Sequence, residues 1–94
     1  MSSVTPVVGM TTSITVGGTA EQVFPPKING GIITNPYSAS EVLYVDAVNA
    51  ASLSASATTF ALQPGQTWEG IPGQTTQTTV NAASSGHTFS AIYW

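Results

Sequence analysis

The sequence predicts an all-β fold, an antiparallel β-sandwich or small β-barrel of about seven or eight short strands. Three observations carry this. Short runs rich in β-branched and aromatic residues recur every 8–12 residues, and nearly every gap between them holds a Gly, Pro or Asn turn signal. The third is negative: no window of helical length escapes these breakers with an apolar stripe intact.

The runs are Thr11–Val16, Ala20–Phe24, Gly31–Thr34, Glu41–Ala47, Thr58–Leu62, Thr67–Ile71, Gln77–Ala82 and Thr88–Trp94. Between them stand Gly17-Gly18, Pro25-Pro26, Asn29-Gly30, Asn35-Pro36, Pro64-Gly65, Pro72-Gly73 and Ser84-Ser85-Gly86. Residues 1–10 have no period and contain Pro6 and Gly9, and are expected to form an extended N-terminal arm preceding a single β domain over 11–94. The stretch 47–57 (AVNAASLSASA) is Ala-rich, but its serines and lack of an apolar stripe favour a loop, with room for a short helical turn.

The tetrapeptide Pro-Gly-Gln-Thr occurs at 64–67 and again at 72–75. Pro presets φ at the second position of a type II turn and Gly supplies the positive φ of the third. Two such turns would bracket one short strand, as in a meander or Greek key. In the run Glu41–Ala47, Leu43 and Val45 share one face, while Val42 and Tyr44 share the other with Asp46. In the last run Phe89, Ala91 and Tyr93 alternate with Thr88, Ser90, Ile92 and Trp94. Both faces of each run carry bulk, which places the former centrally or against a neighbouring subunit.

Composition narrows function. Charged residues make up 5% of the 94: Lys27 against Glu21, Glu41, Asp46 and Glu69. An ordinary soluble domain has about 25%, so Ser and Thr take the surface role. Disorder does not fit a chain that is 41% hydrophobic in patterned runs. A single basic side chain cannot neutralise a phosphate backbone or an anionic membrane surface, so neither nucleic acid nor membrane is an expected partner. No apolar run approaches the about 20 residues of a transmembrane helix, and residues 1–9 lack the basic start and apolar stretch of a signal peptide. With no cysteine there is no disulfide, and one His with four scattered acids does not make a zinc cage. Calcium through Asp46 and backbone carbonyls stays a minor alternative. No metal or cofactor is expected.

Catalysis finds little support. His87 is the single histidine and reads as a polar turn residue. A Ser–His–Asp set could draw only on Asp46, His87 and an unspecified serine. The Gly-x-Ser-x-Gly elbow is missing, and Gly17-Gly18 and Gly30-Gly31 lack phosphate-loop context. A glycosidase pair among the four acids would need a deep cleft for which so short a chain has little room. The expectation is therefore a non-enzyme.

The aromatic end Phe89–Trp94 should be packed, since apolar termini do not fray into water without cost. Trp94, Tyr93 and Trp68 are candidates for burial in the core or at an interface, together with Val7 and Val8 of the arm; Trp68 and Tyr37 are also the best platforms for a sugar. Edge strands are normally protected by charges. Here either turns and Pro25-Pro26 protect them, or they pair with other chains.

A rhythm of motifs points further. Asn35-Pro36 precedes Leu43-Tyr44-Val45-Asp46 and a small-residue stretch; then come Leu62, Pro64-Gly65-Gln66-Thr67, a Thr-rich strand into Val80, and Gly86 leading to Phe89-Ser90-Ala91. Over residues 31–94 the chain resembles small structural proteins of tailed bacteriophages that decorate the head or join the virion. The resemblance implies a β-sandwich or barrel, a homo-oligomer (dimer or trimer), no enzymatic activity, and an N-terminal arm gripping the shell. On that basis the chain is expected to be a capsid decoration (cement) protein, assembled into virions in the host cytoplasm. It would bind and stabilise the major capsid protein lattice or other virion proteins. The alternative is a carbohydrate- or receptor-binding module at the tail, connector or fibre.

Overall fold

The computed structural model describes residues 10–70 and 76–94. The eight strands are β1 (Met10–Ser13), β2 (Glu21–Phe24), β3 (Gly31–Thr34), β4 (Leu43–Asp46), β5 (Thr59–Leu62), β6 (Thr67–Glu69), β7 (Thr78–Asn81) and β8 (Thr88–Tyr93). There is no helix among the described residues, and 47–57 is a loop as expected. β3 coincides with its predicted run, β1 opens at Met10, the residue assigned to the end of the arm, and the other strands lie inside their runs but are shorter.

Two antiparallel four-stranded sheets result, in the orders β1-β8-β3-β6 and β2-β7-β4-β5. Packed together they are a sandwich, which settles the choice against a barrel. The pairings have a simple logic. Strand β1 pairs with β8, β2 with β7, β3 with β6 and β4 with β5. That is one long antiparallel ribbon with its fold at the β4–β5 connection. Rolling the ribbon up adds β3–β8 and β4–β7. An eight-stranded double sheet built from two Greek keys is a jelly roll. β6 pairs with β3 and not with its predecessor β5, so the two sides of the Pro64-Gly65 turn belong to different sheets.

Side-chain alternation explains the core. Leu43 and Val45 on β4, Val80 on β7, Ile33 on β3, and Phe89 and Ala91 on β8 all point between the sheets and are buried. Phe24 is fully enclosed, with the rings of Tyr93 at 5.4 Å and Trp68 at 6.4 Å. Each such large side chain contributes about 1.5–3 kcal/mol by leaving water. β4 and β8 are interior strands of their sheets, as their two-sided bulk requires.

Two predicted turn positions show their reasons. Gly65 has φ +89°, and Gln66 N–H donates to Gln63 O at 2.9 Å, closing the turn that Pro64-Gly65 foretells. The matching turn at 72–75 lies outside the described residues. Gly30 is needed for close approach: a Cβ there would come within 2.6 Å of the Trp94 indole.

Candidate interaction surface

The polar groups most suited to chemistry are assembled as fasteners. Asp46 ends β4 on the outer face of its sheet and is 1% exposed beneath the 47–58 loop. Its Oδ1 accepts from the N–H groups of Val48 (2.8 Å) and Asn49 (2.7 Å), and its Oδ2 from the hydroxyls of Thr58 and Thr59, each at 2.7 Å. Burial pushes the carboxyl pKa up. The Asn49 N–H, the Thr59 hydroxyl, the Val48 N–H and the Thr58 hydroxyl together outweigh burial and hold it below its ordinary value. Four donors occupy this carboxylate, and His87 is not among them. The sequence-level pairing of Asp46 with His87 is not formed.

His87 differs from a solvent-facing turn residue: its side chain is 4% exposed. Nε2 lies 2.8 Å from Asn35 Oδ1, and Nδ1 lies 3.3 Å from Glu41 Oε1. The Asn35 amide nitrogen donates to the carbonyls of Leu62 (2.8 Å) and Glu41 (3.0 Å), which fixes its oxygen towards the ring. His87 therefore donates through Nε2. Ser84 adds its N–H and hydroxyl to Glu41, both at 3.0 Å. The Ser84 N–H does most to hold the Glu41 carboxyl below its ordinary range; partial burial opposes this, and the Ser84 hydroxyl and His87 reinforce it. Ser84 Oγ meets the carboxylate and not the imidazole, so the geometry is not that of a serine nucleophile beside its base. The cluster joins the ends of β3 and β5 to the β7–β8 connection. In the sequence Asn35 signalled only a turn; nothing marked it as the hub.

Among the described residues no three His, Cys, Asp or Glu side chains group as metal ligands. Glu21 accepts from the Thr15 N–H (2.6 Å) and hydroxyl (3.1 Å), and Glu69 stands exposed on β6. No helix among the described residues is long and apolar enough to cross a membrane.

The surface that stands out is the side of the sandwich where β5 and β6, both edge strands, face each other across the two sheets. Phe60 is in register with the buried Val45, so it points towards the interior, yet it is 53% exposed because no strand lies beyond it. Trp68 opposes the buried Ile33 in the same way and is half-buried. The core thus opens to solvent between the two edges. A recess of about 400 Å³ runs along β5 and β6 from Leu62 to Glu69. A second, of about 350 Å³, is lined mainly by Val48, Ala57, Phe60 and Trp68. Val48 beside it is 60% exposed.

The strand edges are protected unequally. β2 has an irregular register between Gln22 and Phe24 and runs into Pro25-Pro26, both of which blunt an edge. β5 reads Thr-Phe-Ala-Leu, with no charge, proline or bulge. Sequence reasoning singled out Trp68 but missed Phe60, because alternation assigns a face and cannot tell an interior strand from an edge.

Of the other sequence candidates, Trp94 is half-buried with its indole against Gly30, and its backbone exchanges hydrogen bonds with Gly30. Tyr93 is half-buried against the core beside Phe24. Both are engaged by their own chain. Val7 and Val8 lie outside the described residues. Tyr37 is 91% exposed. The chain matches no protein-family model, no curated protein and no solved structure, so function is argued from geometry.

Proposed function

We propose that the chain is a non-enzymatic structural protein of a bacteriophage particle, a decoration protein that docks on the assembled head lattice and stabilises it. The observation that carries this reading is the open, cation-free β5–β6 side of a jelly roll, where Phe60, Val48 and Trp68 present apolar surface at an unprotected edge. Jelly rolls are frequent in viral capsid and lectin domains, and a fold alone does not assign a function. The near absence of charge adds support, since many copies can pack densely without accumulating repulsion. Binding only the assembled shell stabilises it by mass action. The partner in this reading is the major capsid protein, with the chain itself a dimer or trimer.

Quantitative mass spectrometry of purified particles tests the proposal. Hundreds of copies per particle are expected. A dozen or fewer would move the chain to the tail or connector, and complete absence from particles would overturn the reading.

A second reading, a carbohydrate- or receptor-binding module, is favoured by one observation. Tyr37 stands almost fully in solvent beside the Pro64-Gly65 turn, with its ring 3.0 Å from where a Cβ on Gly65 would lie. An aromatic platform of this kind suits stacking on a sugar ring. A glycan array probed with the wild-type chain and with Tyr37→Ala separates the two readings: signal lost in the variant supports the module, and silence of both removes it.

A further inference from the structure

Asn29-Gly30 lies in the β2–β3 connection and is the one place in the chain where an asparagine precedes a glycine. Asparagine is among the thermolabile side chains. We infer that Asn29 is a site of spontaneous backbone modification, deamidation through a cyclic imide formed with the Gly30 nitrogen, and that the Trp94 indole lying over Gly30 sets its rate.

The Gly30 amide nitrogen gives its proton to hydroxide and attacks Asn29 Cγ. The N–Cγ bond forms, the Cγ–Nδ2 bond breaks, and the side-chain nitrogen leaves as ammonia after taking a proton from water. Water then opens the imide at either carbonyl. Cleavage of the new N–Cγ bond leaves an aspartyl residue at position 29. Cleavage of the original peptide bond leaves an isoaspartyl residue, whose main chain runs through Cβ and Cγ and is one carbon longer. No electrons are exchanged, and water is the sole co-reactant.

Three observations single out this asparagine. The first is access. Asn29 is exposed, and its carboxamide has no hydrogen-bond partner among the described residues. Asn35 is buried with its amide fixed on two carbonyls, and Pro36 after it has no N–H. Asn49 and Asn81 precede Ala50 and Ala82, each of which sets a Cβ beside the attacking nitrogen. The second is a weakly held nucleophile. Trp94 O accepts from Asn29 N–H at 2.7 Å and from Gly30 N–H at 3.3 Å, so the reacting nitrogen makes the longer of two bonds to one oxygen. The third is the cover. Gly30 is buried, and a Cβ built on it would lie 2.6 Å from Trp94 Cζ2. Hydroxide reaches the nitrogen when the indole lifts, a local opening and not global unfolding.

The product undoes its own cover. Trp94 N–H donates to Gly30 O at 3.0 Å, and Ile28 is anchored in the core. One extra main-chain carbon between Ile28 and Gly31 moves Gly30 off its Trp94 partners, and the new carboxylate adds a negative charge to a formal −3. Trp94 and the neighbouring Tyr93, which packs on Phe24, are loosened together.

The test ages the chain in mildly alkaline buffer, digests it in acid and maps the peptides by mass spectrometry, with isoaspartate counted by an isoaspartyl methyltransferase. The folded wild-type chain should convert at Asn29 ahead of Asn49 and Asn81, more slowly than the same chain unfolded in guanidinium. Trp94→Ala should convert about tenfold faster than wild type, with Trp94→Phe between them as the milder variant, since each loosens the local opening. Near-UV circular dichroism checks that both variants fold. Acrylamide quenching of tryptophan should rise with isoaspartate in the wild-type chain and stay level in Asn29→Ser. No conversion at Asn29 in the folded chain while the unfolded chain reacts would overturn the site. Equal rates in wild type and both Trp94 variants would overturn the role of the indole. None of these outcomes depends on whether the chain is found in particles.

Discussion

Replacing Asp46 by Ala removes the acceptor for four hydrogen bonds at once, two from backbone N–H groups and two from hydroxyls. Hydrogen bonds to a charged group contribute about 1.5–3 kcal/mol each, but they are not additive, and the hydroxyls of Thr58 and Thr59 can reorient towards other acceptors. The two N–H groups cannot reorient. Their orphaning, with the loosening of the 47–58 loop over Thr79 and Asn81, sets the expected loss at about 3–5 kcal/mol. A 94-residue domain has about 5–14 kcal/mol in all, and the melting point should fall by roughly 15–30 °C. Asp46→Asn keeps an oxygen for the Val48 and Asn49 N–H groups and offers an amide that either threonine oxygen can accept. Its loss should be much smaller, about 1–2 kcal/mol. Urea unfolding followed by fluorescence measures both. If Asp46→Ala costs under about 1 kcal/mol, or if the Asn and Ala variants are equally destabilised, the loop is not held by this carboxylate and the reasoning fails.

Three further predictions follow from the same structure. Asp46 and Glu41 are both held below their ordinary values of 3.8 and 4.5, so near those values the folded chain binds fewer protons than the unfolded one; the stability these two carboxylates contribute should be present above about pH 5.5 and be lost as pH falls from there through the lowered values, with a shallower fall in Asp46→Asn, and an acid limb identical in that variant would refute the assignment. Asn35→Ala leaves the Leu62 and Glu41 carbonyls and the His87 Nε2–H without their partner, and should cost about 2–4 kcal/mol in denaturant unfolding. Gly65→Ala imposes a left-handed φ of +89° on a residue with a Cβ and crowds Tyr37 at 3.0 Å, so a loss of about 1–2 kcal/mol is expected by thermal melting.

How much of this was legible beforehand depends on which interactions are local. Strand positions are readable because runs such as Gly31–Thr34 and Thr88–Tyr93 carry β-branched and aromatic residues between breakers, and the turn at Pro64-Gly65 follows from a Pro that fixes one φ and a Gly that permits the positive φ of the next position. Alternation alone puts Leu43 and Val45 on one face, the face that packs between the sheets. Strand order does not follow from alternation: Thr59–Leu62 (Thr-Phe-Ala-Leu) is the more apolar of two short runs yet is an exposed edge, while Thr78–Asn81 (Thr-Thr-Val-Asn) is buried at every position. The roles of Asn35 and His87 are non-local as well. They stand 52 positions apart, and no spacing in the chain announces that β3 ends beside the β7–β8 connection. Alternation puts Asp46 on the face of Val42 and Tyr44, and only the return of the 47–58 loop over that face buries it.

The rolled ribbon also governs the order in which the molecule can be made. β8 follows the other seven strands in sequence but lies between β1 and β3 in its sheet, so that sheet has no centre until β8 has emerged from the ribosome. β2, β7, β4 and β5 can associate earlier, around Val45 and Val80. Contacts between distant segments are slow to form because loop closure precedes any gain. Nascent chains should therefore persist with Ile33 and Phe24 uncovered, a window in which like chains can mispair along exposed edges and a chaperone has something to hold.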